Sequence, residues 1–449
     1  MDLLLEILDR TLNGPICSPK EWELKILPRR TASLLEEHGL RGTCDKENPV
    51  NPDDGLADDF WAAGFELAVE TGMLCLDTER IVKFSEEELI SSLRKSPKKL
   101  VLGRGGEAKE IVVRSIEDAR PPITSLSFMG PVSEDLYVLI SQAVAQYRII
   151  DMTQGSTLAK IKGRRIISKT TFEALAKKYK MQLQIEALKR VNRLGMPILI
   201  DDLSSLGLYD QDSILLASFS YEPLKFNYSE LNKIAHCIYT GVPIYAAHLS
   251  NIGGYLGCPE GVVIGAIAAQ ILQPALMRPS VVESGIIDMR YLGNCGREAI
   301  WANSVCRQAC SRNAGTIDIN FVNQVSGPCT EMILLETAAA SIAGAVSGIA
   351  IGGGTTPRRG KFVDYGSGLE NKFCAEIYKC SSRLRRRDAN EIVKGILPKY
   401  EEELNRPPVG RSFIECTDVG TLKPNKEWLD IYEDVWSYIE DAGVSRDMP

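Results

Sequence analysis

From about residue 120 onward the chain repeats one pattern. A short apolar run is followed by a polar break and then by a longer segment with apolar residues at helical spacing. The runs Ile123–Phe128, Tyr147–Asp151, Pro197–Asp201, Ser213–Ser218, Pro243–Ala247, Gly285–Arg290, Thr316–Asn320 and Gly348–Ile351 predict strands. Helices are expected from Ser133, within Lys169–Leu194, and from about Ser229, Pro259, Gly296 and Leu369. The clearest unit runs from Gly327 to Gly354. Pro328 suits a first helical turn, where its missing N–H is not needed. Glu331 suits the positive helix end, and Ala338, Ala339, Ala340 and Ala343 permit close packing on a sheet. Gly348–Ile351 then reads as a buried strand and Gly352-Gly-Gly-Thr-Thr as a loop.

Eight such units over roughly 270 residues match a (β/α)8 TIM barrel. A doubly wound open sheet is the other arrangement the alternation allows; eight units with a hairpin before them favour closure. The connection after Asp201 has the least room for a crossover helix. The flanks divide the chain into residues 1–118, 119–387 and 388–449. The first part carries helical patterns at Glu21–Leu40 and Asp58–Met73, and a helix opened by Ser85 with acids in its first turn. Its two apolar runs around Gly103 and Gly105 predict a β-hairpin that plugs one end of the barrel. The last part reads as added helices at Glu391–Leu404 and Glu427–Ala442.

Composition narrows the function. With 449 residues, 44% hydrophobic and 25% charged, the chain has the make-up of a soluble globular protein. A net charge of −7 argues against general nucleic-acid binding. No apolar run reaches the ~20 residues of a membrane span, and the acidic, amphipathic start does not read as a signal peptide. Twelve scattered cysteines fit a reducing, cytoplasmic setting. Cys306 and Cys310, one helical turn apart with Cys295 upstream, read as buried thiols in preference to a zinc site. No metal site is assigned.

In a TIM barrel, chemistry sits at the C-terminal ends of the strands. The polar residues expected there are Asp151, Asp201, Asp202, His248, Asn251, Asp288, Arg290, Asn320, Asn323 and Gln324. Asp201, Asp202, His248 and Asp288 are the acid–base candidates. Arg290 is the candidate for holding a carboxylate, or for pairing with Asp288. His236, inside an expected helix, reads as structural, and His38 as a surface residue. The glycine run after the last strand has two readings, a backbone cradle for an anion or close approach of a neighbouring surface.

Several local motifs carry a resemblance. They are Ala63-Gly-Phe-Glu, Asp77-Thr-Glu-Arg-Ile-Val-Lys-Phe, Val101-Leu-Gly-Arg-Gly, Gly130-Pro-Val-Ser-Glu-Asp, Gly253-Gly-Tyr, Gly327-Pro-Cys-Thr-Glu-Met-Ile-Leu-Leu-Glu and Phe413-Ile-Glu-Cys-Thr-Asp-Val. Through them the chain, from about Glu21 to its end, resembles the monomethylamine:corrinoid protein methyltransferase family of methanogenic archaea. The resemblance implies a TIM barrel, a homo-oligomer, and transfer of methyl from methylamine to Co(I) of a partner corrinoid protein. It implies no cofactor resident in the chain. The family's pyrrolysine falls at Leu199, its two neighbouring glutamates at Ala217 and Ala247, and its Gln and Tyr at Phe321 and Asn323. The scaffold is thus kept and the catalytic set is not, which points to a pre-activated substrate such as a quaternary amine. Leu199, Arg290, Asn320, Asn323 and Gln324 become the substrate-binding candidates, and Tyr221, Tyr245, Tyr255 and Phe321 the aromatic ones. Two other classes fit the same residues: a barrel enzyme of unrelated chemistry, and a non-catalytic paralogue that binds a corrinoid protein or a methylated ligand.

Overall fold

The computed structural model describes residues 2–167, 170–201, 203, 213–220 and 224–447. Eight parallel segments close in chain order. The first strand, Ile123–Leu126, pairs with the eighth, Ile351–Gly354, which pairs with the seventh, Ile319–Phe321. The third to sixth strands, Ile198–Ile200, Ser213–Ser220, Ile244–Ile252 and Val281–Asp288, form a continuous ladder. Single bridges complete the ring: Ser125 to Met152, Thr153 to Ile198, and Val282 to Asp318. The second position is therefore a bridged pair, residues 152–153, just beyond the expected run Tyr147–Asp151. The result is a TIM barrel.

The expected hairpin is present, with Lys99–Leu102 antiparallel to Lys109–Val112. Its Leu102 and Ile111 join the inner barrel cluster with Ile317, Ile319 and Ile351. This plug also explains Asp151. Lys109 of the hairpin and Lys379 each place Nζ 2.9 Å from the Asp151 carboxylate, while Thr124 donates its backbone N–H to it. Asp151 thus braces the plugged end and not the mouth.

Local chemistry fixes the surrounding helices. Ser85 caps Glu86–Lys95 through a reciprocal box: Ser85 Oγ accepts from Glu88 N at 3.2 Å and the Glu88 carboxylate accepts from Ser85 N at 2.7 Å. Helix Glu331–Val346 starts later than expected, because Thr330 and not Pro328 frames its start, its Oγ1 accepting from Ile333 N at 3.3 Å. Gly327 is required for another reason: a Cβ there would collide with the carbonyl of Val409 in the C-terminal segment. Helix Pro259–Met277 is long and apolar enough to span a membrane, yet every residue in it after Pro259 is buried. Helix Asp54–Thr71 covers it at such close range that a Cβ on Gly64 would stand 2.5 Å from Ile267 Cγ2. Its hydropathy is that of a core helix.

The last barrel strand lies three residues beyond the expected run, so the glycines are the strand itself. A Cβ on Gly352 would meet the Tyr378 ring at 2.6 Å, and one on Gly353 the Phe321 ring at 2.5 Å. Close approach of aromatic rings accounts for the glycines without an anion cradle. Gly353→Ala is expected to overpack this layer and cost about 1–3 kcal/mol, read as a lowered midpoint in chemical denaturation.

Candidate active site at the barrel mouth

A cavity of about 560 Å³ opens at the C-terminal ends of the strands. Strand alternation decides what faces it. Tyr245 and Leu249 point in from the fifth strand, Glu283 and Ile287 from the sixth, and Phe321 from the seventh. Leu199 of the third strand and Phe219 at the end of the fourth complete the apolar wall. Among the described residues Glu283 is the only carboxylate in this wall, and it is 3% exposed. The Tyr245 hydroxyl donates to its Oε2. Burial pushes the Glu283 carboxyl up to about 7, against the hydrogen bond from Tyr245 and the more distant Arg307. Glu283 is also the register partner of Ala247, so it stands one strand across from one of the positions where the resemblance places a family glutamate.

The rim is charged. Lys177 and Lys180 bring Nζ to 2.6 and 3.0 Å from Asp201 Oδ2. Burial alone would raise the Asp201 carboxyl; the two lysines outweigh it and hold it below the ordinary range. Asn323 accepts from Thr356 Oγ1 at 3.2 Å, and both line the cavity. Arg359, also lining, donates Nη2–H to the Leu404 carbonyl at 3.3 Å and makes no ion pair among the described residues. Burial and the adjacent Arg358 depress its pKa.

Of the residues expected from sequence, Leu199, Asp201, Tyr245, Phe321 and Asn323 come together here. Asp202 lies outside the described residues, as does Tyr221. The others face elsewhere. The fifth strand runs to Ile252, so His248 is interior to it and turned toward the helical layer, opposite in face to Ala247 and Leu249. Its Nε2–H donates to the Lys225 carbonyl at 3.0 Å, and burial lowers its pKa to about 4. His248 is therefore neutral across the working range and outside the cavity. Asp288 is wholly buried on the outer face of the sixth strand, where Arg290 Nε donates to both carboxylate oxygens at 2.9 and 3.0 Å. Arg290 also pairs with Glu298, so this is an ion network and not a carboxylate receptor. Asn320 faces the helices between Ile319 and Phe321, beside Arg307 and Asn303. Gln324 is buried in a bracing role, donating to Thr337 Oγ1 and accepting from Thr356 N, both at 2.8 Å. Asn251 is likewise absent from the lining. Tyr255 is turned toward Glu23, which raises its pKa.

Glu283 escaped the sequence reading because the sixth strand was expected to start at Gly285, and it starts at Val281. A lone glutamate inside Val281-Val-Glu-Ser-Gly-Ile-Ile-Asp, in phase with Ile287, was the available signal. Lys180 and Arg359 lie on a helix and a loop, where no strand period marks them.

A model of the family Monomethylamine methyltransferase MtmB matches residues 3–444. The chain belongs to the MtmB family. A monomethylamine methyltransferase MtmB of Methanosarcina mazei is 28% identical over 452 residues, covering 98% of this chain and 97% of that protein. MtmB1 of Methanosarcina barkeri (strain Fusaro) is equally similar, at 28% and the same coverage. Among solved structures, a hydroxylamine MtmB complex superposes with a TM-score of 0.94 at 26% identity, over 98% of both chains. The Methanosarcina barkeri monomethylamine methyltransferase gives 0.91 at 26% identity and the same coverage. The MtmB scaffold is thus shared along the whole chain. Within it, the stretch after the seventh strand is held by Glu336, whose carboxylate accepts from Val325 N at 2.9 Å and Ser326 N at 3.1 Å.

Proposed function

We propose that this protein transfers a methyl group from a methylated amine to the Co(I) of a corrinoid carried by a partner protein, and that it does so without pyrrolysine. The observation that carries the second half is Leu199. It stands where the resemblance places pyrrolysine, and its apolar side chain faces the cavity. A leucine offers no electrophile to capture an amine. The cavity offers in its place an aromatic wall and one buried carboxyl, a surrounding that suits a methylated ammonium. A quaternary ammonium needs no further activation. The electron pair of Co(I) forms the new bond to the methyl carbon as the C–N pair leaves with nitrogen, so the leaving group is a neutral tertiary amine.

The residues of this chain then have definite tasks. Tyr245, Phe321 and Phe219 exclude water and present ring faces to the cation. Glu283 compensates its charge in a site where an unpaired cation would be costly. On this reading the chain holds no cofactor of its own, and the corrinoid arrives at the mouth with its partner.

A pH dependence follows. Glu283 binds a cation only as the carboxylate, and its pKa is raised to about 7 by burial. Affinity for a quaternary amine is expected to fall about tenfold per pH unit below 7 and to level off above it, as read by calorimetric titration. The linkage to stability has the opposite sense: a carboxyl raised on folding favours the fold at low pH, and that contribution is lost as pH rises through 7.

The function is tested by mixing the purified protein, a reduced corrinoid partner protein and a panel of mono-, di-, tri- and tetramethylated amines, and following Co(I) by its visible absorption. Loss of Co(I) with a quaternary amine is the expected result. Turnover with monomethylamine alone would overturn the non-pyrrolysine substrate reading, and no turnover with any amine would overturn the methyl transfer itself.

A further inference from the structure

The cavity separates its charges by depth. Glu283, with its Tyr245 partner, sits within the barrel on the sixth strand, among Phe321, Leu249 and Ile287. The cations stand higher. Arg359 belongs to the loop that follows the eighth strand, which ends at Gly354, and Lys180 reaches Asp201 just past the end of the third. Lys180 has a carboxylate partner in Asp201. Arg359 makes no ion pair among the described residues, and Glu336 acts on it only from beyond contact range, although it is half-buried and lines the same cavity; its side chain donates to one backbone carbonyl. A partly desolvated guanidinium facing a cavity is a receptor for an oxyanion, which it can meet with two parallel N–H donors. A simple methylated amine has nothing to offer it.

We infer that the substrate is a zwitterion: a quaternary methylated ammonium joined by a short chain to a carboxylate, with the onium end at Glu283 and Tyr245 and the carboxylate at Arg359. The inference rests on the methylated-amine reading above and narrows its substrate class. A zwitterion also adds no net charge to a cavity that holds one acid on its floor and cations at its rim. The methyl group stays with the onium end, and transfer leaves a dimethylamino acid, whose carboxylate is untouched.

The test is equilibrium binding to the full chain alone, by calorimetry at pH 8, with no corrinoid partner present. The probes are tetramethylammonium, sodium propionate and trimethylated ω-amino acids with two to six carbons. At least one zwitterion is expected to bind about tenfold or more tighter than tetramethylammonium. In Arg359→Gln that preference is expected to collapse toward unity, and Arg359→Lys to restore part of it, since a single ammonium keeps the charge but loses the two-pronged geometry. Equal binding of tetramethylammonium and every zwitterion by the unaltered protein would overturn the inference while sparing the methylated-amine reading. Failure of all the cations to bind would overturn both. A preference for zwitterions that persists in Arg359→Gln would remove Arg359 from the site.

Discussion

Glu283→Gln is expected to lower kcat/KM for a quaternary amine by about 100-fold, close to 2.7 kcal/mol of transition-state and binding free energy. The substitution keeps the shape of the side chain and an oxygen that can accept from the Tyr245 hydroxyl. What it removes is the only carboxylate that the described residues place in the apolar wall of the cavity. In that wall the onium ion gives up its water, and without a counter-charge the cost of desolvation returns almost in full. Losses of this size are usual when one partner of a buried charge pair is truncated. The variant should also lose the pH dependence around 7, since the group that titrates there is gone. Steady-state kinetics across pH 6–9, with thermal unfolding as a control for the fold, would check both. Unaltered kcat/KM in a well-folded Glu283→Gln protein would remove Glu283 from the site. Tyr245→Phe should have a smaller effect, because it removes one hydrogen bond and leaves the carboxylate in place.

Asp318→Ala is expected to destabilise the fold by about 3–5 kcal/mol. Arg307 lies almost wholly buried between the barrel and the helices, its Nη1 at 2.7 and 2.9 Å from the two Asp318 oxygens and its Nη2 donating to the Ser284 carbonyl at 2.5 Å. Burial pushes the Asp318 carboxyl up and Arg307, charged throughout, offsets part of that push. The alanine leaves a guanidinium with no counter-charge in the core. The position also matters to closure. Asp318 supplies the single bridge from the sixth to the seventh strand, and its carbonyl accepts from both Ala350 and Ile351 at 3.0 Å. The loss should therefore appear as one cooperative shift in denaturant midpoint. The double change Arg307→Met with Asp318→Leu should recover most of it, since replacing both ions by apolar groups removes the uncompensated charge. A single variant as stable as the parent would show that the pair contributes nothing.

How far the chain could be read in advance differs between elements. The hairpin plug and the Ser85-capped helix were legible because each is specified locally, by glycine turns and by a capping oxygen three residues from its N–H partner. The alternation of eight strands and their helices was legible for the same local reason. The site was less so. An expected strand that ends at Ala247 places His248 at the mouth; the observed strand continues to Ile252 and turns the same histidine toward the helices. An expected strand that starts at Gly285 hides Glu283 in a connection; the observed one starts at Val281 and points it into the cavity. Asp288 and Arg290 were read as cavity residues or as a pair, and they are a pair.

By itself, then, the sequence determined the barrel, its plug and its family, because periodicity, caps and signature motifs act over a few residues and tolerate small errors in boundary. Only the tertiary structure decided which polar residues share a space. Successive strand residues face opposite sides, so strand ends, bulges and the turn of each segment select core, helical layer or cavity for every side chain. That choice depends on pairing with neighbours distant in the chain, as Ala247 with Glu283 shows. It moved the acid of this site to the sixth strand and left His248 and Asp288 to hold the outer layer together.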